Sequence, residues 1–161
     1  MISAIQFTGY RTIKVGRSDP LSVKWKAVDK TWTDAKQTDA SELNSHYNHI
    51  IKYKSDTDDH WQSPQETLDL GSGDCEDFAI LKYAAVDLDA QVVIGEIKSI
   101  RGNRPHAWCG VFVDGEWLVM DNLFDQLILP SEYINWTPIA TMWENKLFRY
   151  GREFTMNEMS S

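Results

Sequence analysis

The run Gly71-Ser72-Gly73-Asp74-Cys75-Glu76-Asp77-Phe78-Ala79 joins a glycine-rich turn to a stretch with helical spacing of apolar residues. This spacing predicts a helix that starts at Cys75, with Asp74 as its N-cap. Its apolar stripe consists of Phe78, Leu81, Ala85 and Leu88. The first N–H groups of a helix have no internal partner and carry the positive end of the peptide dipoles, so they stabilise a thiolate and later an oxyanion. Cys75 is therefore a candidate nucleophile.

The segment from His106 to Asp121 is predicted to be a β-hairpin. Asp114-Gly115 is a strong two-residue turn signal, which places Trp108 opposite Asp121. Side chains alternate along a strand, so His106 and Asp121 share a face as diagonal neighbours, about 7 to 8 Å apart and within side-chain reach. In a thiol triad the imidazole accepts the thiol proton and the carboxylate orients the ring. The hairpin thus offers His106 as the base and Asp121 as the orienting acid.

The same register separates the second cysteine, Cys109, from the histidine. Cys109 falls on the opposite face, in an apolar set typical of a core. That set also contains Ala107, Val111, Leu118 and Met120. A disulfide with Cys75 is disfavoured, because it needs converging Cβ vectors and Cα atoms within about 7 Å. Structural alternatives stay open: His106 and Asp121 as a stabilising pair, and Cys75 as a small buried hydrophobe.

Three acidic residues, Asp74, Glu76 and Asp77, flank the candidate nucleophile. Their negative charges disfavour a thiolate, and a bound hard cation would offset them. Ca²⁺ takes several carboxylate and carbonyl oxygens in flexible geometry, which a turn at a helix start can provide. The alternative is that the acids only complement the helix dipole, worth about 0.3 to 1 kcal/mol each. Spacing alone favours this alternative, because no EF-hand pattern is present.

Before the Cys75 run, the patterns predict a β segment and two helices. Apolar residues alternate within 2–28, which indicates a short β segment. Its later members are Leu21, Val23 and Trp25. A helix is predicted over 38–52 from the spacing of its apolar residues, with Ser41 as its N-cap. The run Ser63-Pro64-Gln65-Glu66 is a capping box that starts a short helix ending before Gly71.

After this run the pattern is mainly that of strands. β-Branched residues over 91–100 predict a buried strand, and strands also fit 126–129 and 146–150. Residues 101–105 are predicted to form a loop. A polar turn is predicted earlier in the chain, at Asp56, Asp58 and Asp59.

Length and composition predict one globular domain. The 161 residues can bury about two thirds of the unfolded surface, and the 12% aromatic share needs a core. We expect a single domain over 1–161, with its core at about 41–151 and a polar tail after Phe154. A formal charge of −8 without a Lys/Arg cluster predicts no nucleic-acid binding.

The motifs between about Leu43 and Gly151 resemble the LapG-type family of bacterial transglutaminase-like cysteine proteinases, within the papain-like/transglutaminase superfamily. The motifs that carry the resemblance are Leu43-Asn44 with Asn48 and Tyr53, Trp61 with Ser63-Pro64-Gln65-Glu66, Gly73-Asp74-Cys75-Glu76-Asp77 with Ala79 and Lys82-Tyr83, His106-Ala107, and Leu118-Val119-Met120-Asp121-Asn122-Leu123. The resemblance implies an α+β papain-like/transglutaminase-like fold, with the Cys75 helix packed on an antiparallel sheet. It also implies Cys75 as nucleophile, His106 as base and Asp121 as orienting acid.

The resemblance implies a function as well. Members of the family are calcium-dependent endopeptidases of the periplasm, which release large surface adhesins by cutting near a pair of alanines. They act under the control of a cyclic-di-GMP-binding membrane receptor. The resemblance therefore implies a protein or peptide substrate, a regulatory protein partner, and a Ca²⁺ site at Asp74 and Glu76, with Asp77 as a further ligand.

The N-terminal part before about residue 41 departs from the full periplasmic enzymes, being shorter and unlike them. Met1–Phe7 lacks the charged n-region and apolar core of a signal peptide. We expect a periplasmic location if a signal has been removed, and otherwise a cytoplasmic one, as a phage-encoded or stand-alone domain. No window approaches the roughly 20 apolar residues of a membrane span, so no membrane insertion is predicted.

The leading prediction is a thiol endopeptidase that acts through an acyl-enzyme. The same triad would also serve an amide acyltransferase (a transglutaminase) or an amidase, which differ in whether an amine or water accepts the acyl group. A third alternative is a catalytically silent binding module with the same fold.

Overall fold

An antiparallel β-sheet is the main element of the computed structural model, which describes residues 3–25, 27–32, 36–55, 60–133, 135–144 and 146–153. The strands in these ranges are β1 (Tyr10–Val15), β2 (Lys52–Tyr53), β3 (Ser72–Gly73), β4 (Ala90–Ile97), β5 (Arg104–Val113), β6 (Glu116–Asp121), β7 (Phe124–Ile128), β8 (Trp136–Trp143) and β9 (Lys146–Arg152). The helices are α1 (Ser22–Trp25), α2 (Ala40–Ile50), α3 (Pro64–Leu70) and α4 (Cys75–Ala85), with a 3₁₀ turn at Pro130–Glu132. Seven strands pair in the order β1-β9-β8-β4-β5-β6-β7, and β2 and β3 form a separate parallel pair. The predicted α+β class is confirmed.

Both faces of the sheet are buried, because the side chains of its central strands alternate between two cores. On one face, Val92 of β4 and Cys109 of β5 pack in the larger core with residues of α2 and α4. On the other face, Val93 and Trp108 form a smaller cluster with Ile5 from the N-terminal segment. Cys109 thus lies on the helix side of β5, as the hairpin count predicts. Neither cysteine of the chain is in a disulfide.

The helices around the Cys75 run begin and end largely where the local signals predict. Asp74 caps α4, Ser63 caps α3 with a complete capping box, and Gly71, with φ 68°, ends α3. The predicted cap of α2 was wrong. Asp39 is the N-cap, since its carboxylate accepts a first-turn N–H at 3.0 Å, and Ser41 lies inside the helix.

The segment around Val23 is helical, although a strand was predicted there. Alternation holds only for β1, whereas Ser22–Trp25 forms α1. The carboxylate of Asp19 accepts the N–H of Leu21 at 2.9 Å, and its carbonyl accepts the N–H of Ser22 at 2.9 Å. This capped turn begins a helix, which competes successfully with a weak strand pattern.

Strand β8 was missed at the sequence level. Proline usually argues against a central strand, yet Pro138 lies in β8, between β4 and β9. It pairs with Gly95 where the β4–β8 register shifts after Ile94, so the bulge accommodates the missing N–H.

Two other element boundaries differ by a few residues from the predicted ones. Helix α4 ends at Ala85, which leaves Leu88 outside it, and β5 begins at Arg104 inside the predicted loop. The polar turn expected at Asp56, Asp58 and Asp59 and the tail after Phe154 lie outside the described residues. None of the helices in the described ranges is long and apolar enough to cross a membrane.

Candidate active site

The turn between α3 and α4 fixes Cys75 as the first residue of α4. A capping box closes this helix start: the Asp74 carboxylate accepts the N–H of Asp77 at 3.5 Å, and the Asp77 carboxylate accepts the N–H of Asp74 at 3.1 Å. A Cβ at Gly73 would lie 2.7 Å from the Cβ of Asp77, so the turn requires glycine there. The sequence around Cys75 therefore encodes a rigid helix start.

The thiol of Cys75 is held by its neighbour rather than by an imidazole. The residue is 8% exposed, and its Sγ donates to Oε2 of Glu76 at 3.1 Å. Burial raises the pKa of Cys75, and the charge and hydrogen bond of Glu76 raise it further. The N–H of Ala107, next to His106 in the chain, lies beside the thiol and opposes this rise. In this arrangement the thiol keeps its proton at neutral pH.

His106 and Asp121 lie side by side on β5 and β6. Nε2 of His106 is 3.0 Å from Oδ1 and 2.8 Å from Oδ2 of Asp121. The two side chains are only 7% and 1% exposed. A carboxylate can only accept, so Nε2 carries the proton and Nδ1 is left for another partner. The structure thus brings these two residues together, whereas among the described hydrogen bonds none joins Cys75 to His106.

Asp121 has two further partners that the sequence does not indicate. The N–H of Leu123 donates to its Oδ1 at 3.0 Å, and the hydroxyl of Tyr133 donates to its Oδ2. Burial raises the pKa of Tyr133, and the charge and hydrogen bond of Asp121 and, more weakly, an ionised Cys75 add to the rise. The Tyr133 hydroxyl therefore stays protonated as a donor and lies near both candidate catalytic groups.

Aromatic rings hold Tyr133 in place. Its ring centre is 5.9 Å from that of Trp108, 5.8 Å from that of Trp136 and 6.3 Å from that of Phe124. These residues come from β5, β8 and β7, so only the tertiary structure brings them to Tyr133. The nearby sequence contains no motif that could have identified this tyrosine.

The three acidic residues around Cys75 have different surroundings. Asp77 is fully buried, and its carboxylate accepts the N–H groups of Gln62 at 2.8 Å and Asp74 at 3.1 Å. Asp74 and Glu76 are partly exposed. Burial, together with the negative charge of Glu76, raises the pKa of Asp74 to about 9. Asp77 thus supports the turn, whereas Asp74 and Glu76 are a carboxyl pair in which the charge of Glu76 helps to keep a proton on Asp74 at neutral pH.

Such a carboxylate pair suits a hard divalent cation, which accepts oxygen ligands in flexible geometry. In the part of the chain that the structure describes, no group of three or more His, Cys, Asp or Glu side chains is arranged to hold a metal ion. Asp74 and Glu76 would supply two oxygen ligands to such an ion, and no third His, Cys, Asp or Glu side chain among the described residues joins them.

Comparison with known proteins identifies the class. The family model described as the transglutaminase-like superfamily matches residues 26–122, a range that contains Cys75, His106 and Asp121. The chain therefore belongs to the transglutaminase-like superfamily. Comparison with curated protein sequences gives no match.

Solved structures of LapG from Legionella pneumophila are similar to this chain. One matches with a TM-score of 0.59 and 28% identity, over 68% of this chain and 66% of the LapG chain. The calcium-bound form matches with a TM-score of 0.59 and 24% identity over 75% of each chain. The EGTA-treated form matches with a TM-score of 0.59 and 28% identity, over 68% and 64%. The predicted resemblance to the LapG-type family is confirmed, although the first match spans slightly less than two thirds of the LapG chain.

Proposed function

We propose that this chain is a cysteine endopeptidase that cleaves a protein or peptide substrate, with Cys75 as nucleophile, His106 as general base and Asp121 as orienting acid. The observation that carries the proposal is the bond between Nε2 of His106 and Asp121, which leaves Nδ1 free to accept the thiol proton. The contact of the Cys75 thiol with the N–H of Ala107 supports the nearness of nucleophile and base. A change of the Cys75 rotamer is the step that we expect to move Sγ from Glu76 to His106.

The reaction divides into acylation and hydrolysis. In acylation, Sγ of Cys75 bonds to the scissile carbonyl carbon while its proton passes to Nδ1 of His106. The C–N bond then breaks, and the imidazolium gives that proton to the leaving amine. In hydrolysis, water attacks the thioester and gives a proton to His106, which returns it to the sulfur as the acid product leaves. Asp121 holds the ring throughout.

The start of α4 supplies charge stabilisation for this reaction. Among the described hydrogen bonds, none uses the backbone N–H of Cys75, which is one of the unpaired donors of a helix N-terminus. This N–H can donate to the oxyanion of the tetrahedral intermediate. We therefore expect it to form one half of the oxyanion hole.

Calcium dependence is a further part of the proposal. A bound Ca²⁺ supplies positive charge beside two carboxylates, and Asp74 and Glu76 would hold it. With Glu76 engaged as a ligand, its carboxylate would no longer accept the hydrogen bond of the Cys75 thiol, and its charge would no longer raise the pKa of Cys75. The LapG structures in calcium-bound and EGTA-treated forms support this part.

A proteomic cleavage profile tests the proposal. Wild type, Cys75→Ala and Cys109→Ala are incubated with a denatured bacterial proteome, with Ca²⁺ or with EGTA, and new peptide termini are identified by mass spectrometry. Cys109 is the matched control, since it is the other buried free thiol and lies on the helix side of β5. We expect new termini with wild type and Cys109→Ala in Ca²⁺, and none with Cys75→Ala.

The same experiment separates the alternatives. If the protein were a transglutaminase, an added primary amine would replace ammonia on glutamine side chains, and no new peptide termini would form. A binding module would give identical profiles for wild type and Cys75→Ala, and the peptidase proposal would then be wrong. Equal cleavage in EGTA would reject the calcium part alone.

A further inference from the structure

Lys82 is a fully buried cation on the helix that begins with Cys75. Its side chain has 0% exposure, and its Nζ donates to Oδ1 of Asn48 at 2.6 Å and lies 5.4 Å from the ring centre of Phe78. Burial lowers the pKa of Lys82 to about 8. An ammonium bound to a neutral amide is costly to bury, and a methionine would fill a similar volume without that cost. Packing alone therefore does not account for a lysine here.

The contact with Lys82 fixes the orientation of the Asn48 amide. An ammonium only donates, so the carbonyl side of the amide has to face Lys82. The NH₂ side then donates to the backbone carbonyl of Asp121 at 2.9 Å and to that of Phe124 at 3.0 Å. A flipped amide would set its own carbonyl against those two carbonyls. Lys82 and the two carbonyls therefore select the same orientation, in which Asn48 holds the main chain of Asp121.

A second amide on α2 holds the same turn. Nδ2 of Asn44 donates to the backbone carbonyls of Phe124 at 2.8 Å and Asp125 at 3.0 Å. Inside the turn, the N–H of Leu123 binds the carboxylate of Asp121. Main chain and carboxylate are thus coupled, and a displaced turn would carry the carboxylate away from its imidazole partner.

We propose that Lys82 and Asn48 are positioning residues that fix the Asp121 turn relative to the Cys75 helix. The inference rests on the proposed function, because it assigns the two residues to the reaction of Cys75, His106 and Asp121. Lys82 lies about two turns beyond Cys75 on α4, and Asn48 connects it to the end of β6. The link therefore joins the element that carries the nucleophile to the element that carries the acid.

Two variants and one control test this link. Lys82→Met removes the ammonium and keeps the volume, and Asn48→Ala removes the amide from a half-buried helical position, where the chain is expected to fold. Lys30→Met is the control. Lys30 is also packed against α4, with its Nζ on the carbonyls of Tyr83 at 2.8 Å and Val86 at 2.6 Å, and neither of these bonds reaches the Asp121 turn.

Two readouts are taken on each folded variant. The first is the NMR signal of the His106 Nε2–H proton, which reports its bond to Asp121 and needs no substrate. It is assigned by comparison with His106→Gln. The second is the pair kcat and KM on a peptide from the cleavage profile. We expect kcat to fall about tenfold or more in Lys82→Met and Asn48→Ala, with KM within about twofold of wild type, and the proton signal to shift in both. Lys30→Met should leave both readouts unchanged.

The outcomes are distinct. Folded Lys82→Met and Asn48→Ala proteins with a wild-type kcat, or with a lowered kcat but an unshifted His106 signal, would overturn the positioning role. If Lys82→Met failed to fold, Asn48→Ala would decide alone. If the wild type were inactive and the His106 signal still shifted in both variants, the proposed function would be rejected, but the role of Lys82 and Asn48 in positioning Asp121 would be kept.

Discussion

Tyr133 and His106 donate hydrogen bonds to the same oxygen, Oδ2 of Asp121. The N–H of Leu123 occupies the other oxygen, and the carboxylate is 1% exposed. Three protein donors thus replace the water that would otherwise solvate this charge. The orientation of Asp121 depends on residues from three separate segments of the chain.

Removing the Tyr133 hydroxyl should weaken both stability and activity. In Tyr133→Phe the carboxylate loses one charge-assisted hydrogen bond, so we expect the free energy of unfolding to fall by about 1.5 to 3 kcal/mol and kcat/KM to fall about tenfold. Tyr150→Phe is the control, because its hydroxyl belongs to the same aromatic cluster but binds the carbonyl of Ile5 and the side chain of Thr141 instead of Asp121. In that variant we expect the free energy of unfolding to fall by about 1 kcal/mol and the activity to stay at the wild-type level. Equal kinetics in the two variants, measured beside urea unfolding, would contradict a role for Tyr133.

Neutralising Glu76 should release the Cys75 thiol. The carboxylate of Glu76 accepts a hydrogen bond from the Cys75 thiol, and its charge helps to raise the pKa of Cys75. We expect Glu76→Gln in EGTA to react with iodoacetamide roughly threefold to tenfold faster than wild type at pH 8, because a smaller rise in pKa leaves more thiolate. Labelling of Cys75 is read by mass spectrometry, with Glu116→Gln at the exposed start of β6 as the control. The idea fails if Glu76→Gln reacts no faster than Glu116→Gln.

Asp77 should matter for folding rather than for calcium. Its carboxylate is fully buried and binds the N–H groups of Gln62 and Asp74, so Asp77→Asn leaves one donor unmatched. We expect a loss of about 1 to 3 kcal/mol in urea unfolding, and unchanged Ca²⁺ affinity by calorimetry in the fraction that folds. Asp69→Asn, at an exposed position on α3, should cost less than about 0.5 kcal/mol. A loss of Ca²⁺ binding in Asp77→Asn would restore Asp77 as a ligand.

The buried thiol of Cys109 should make the protein less stable at alkaline pH. Burial raises the pKa of Cys109 from 9.0 to about 12. Between these values the unfolded chain releases the proton and the folded chain keeps it, so stability falls as pH rises, by up to about 1.4 kcal/mol per pH unit. Cys109→Ala should show a slope that is shallower by about this amount in urea unfolding between pH 9 and 11 under reducing conditions. Parallel slopes for the two proteins would mean that Cys109 ionises equally in both states.

Local signals predicted the parts of the fold that short-range chemistry determines. The capping box at Ser63 and the cap at Asp74 depend on residues within one turn, and the Asp114-Gly115 turn sets the hairpin register that brings His106 to Asp121. Strand β8 could not be predicted in this way, because Pro138 is tolerated only where β8 bulges against β4. The structure of a strand centre depends on its neighbours.

The candidate site likewise has residues that the sequence predicts and residues that only the tertiary structure reveals. The signals for a helix start and for a hairpin predicted Cys75, His106 and Asp121 as site residues. Tyr133 could not be found, because its contact with Asp121 exists only after the chain beyond β7 folds back over Trp108. Likewise, separating Asp77 from the other acids required its burial, which spacing does not report.

The amides of α2 also have a consequence for self-association. Strand β7 is the last strand of the sheet, and such edges recruit strands from other molecules when their backbone groups are unpaired. Here the carbonyls of Phe124 and Asp125 already accept hydrogen bonds from Asn44 and Asn48. These two carbonyls are already occupied and offer no free acceptor to a neighbouring copy, so the amides that hold the acid in place also leave less of the last strand open to pairing.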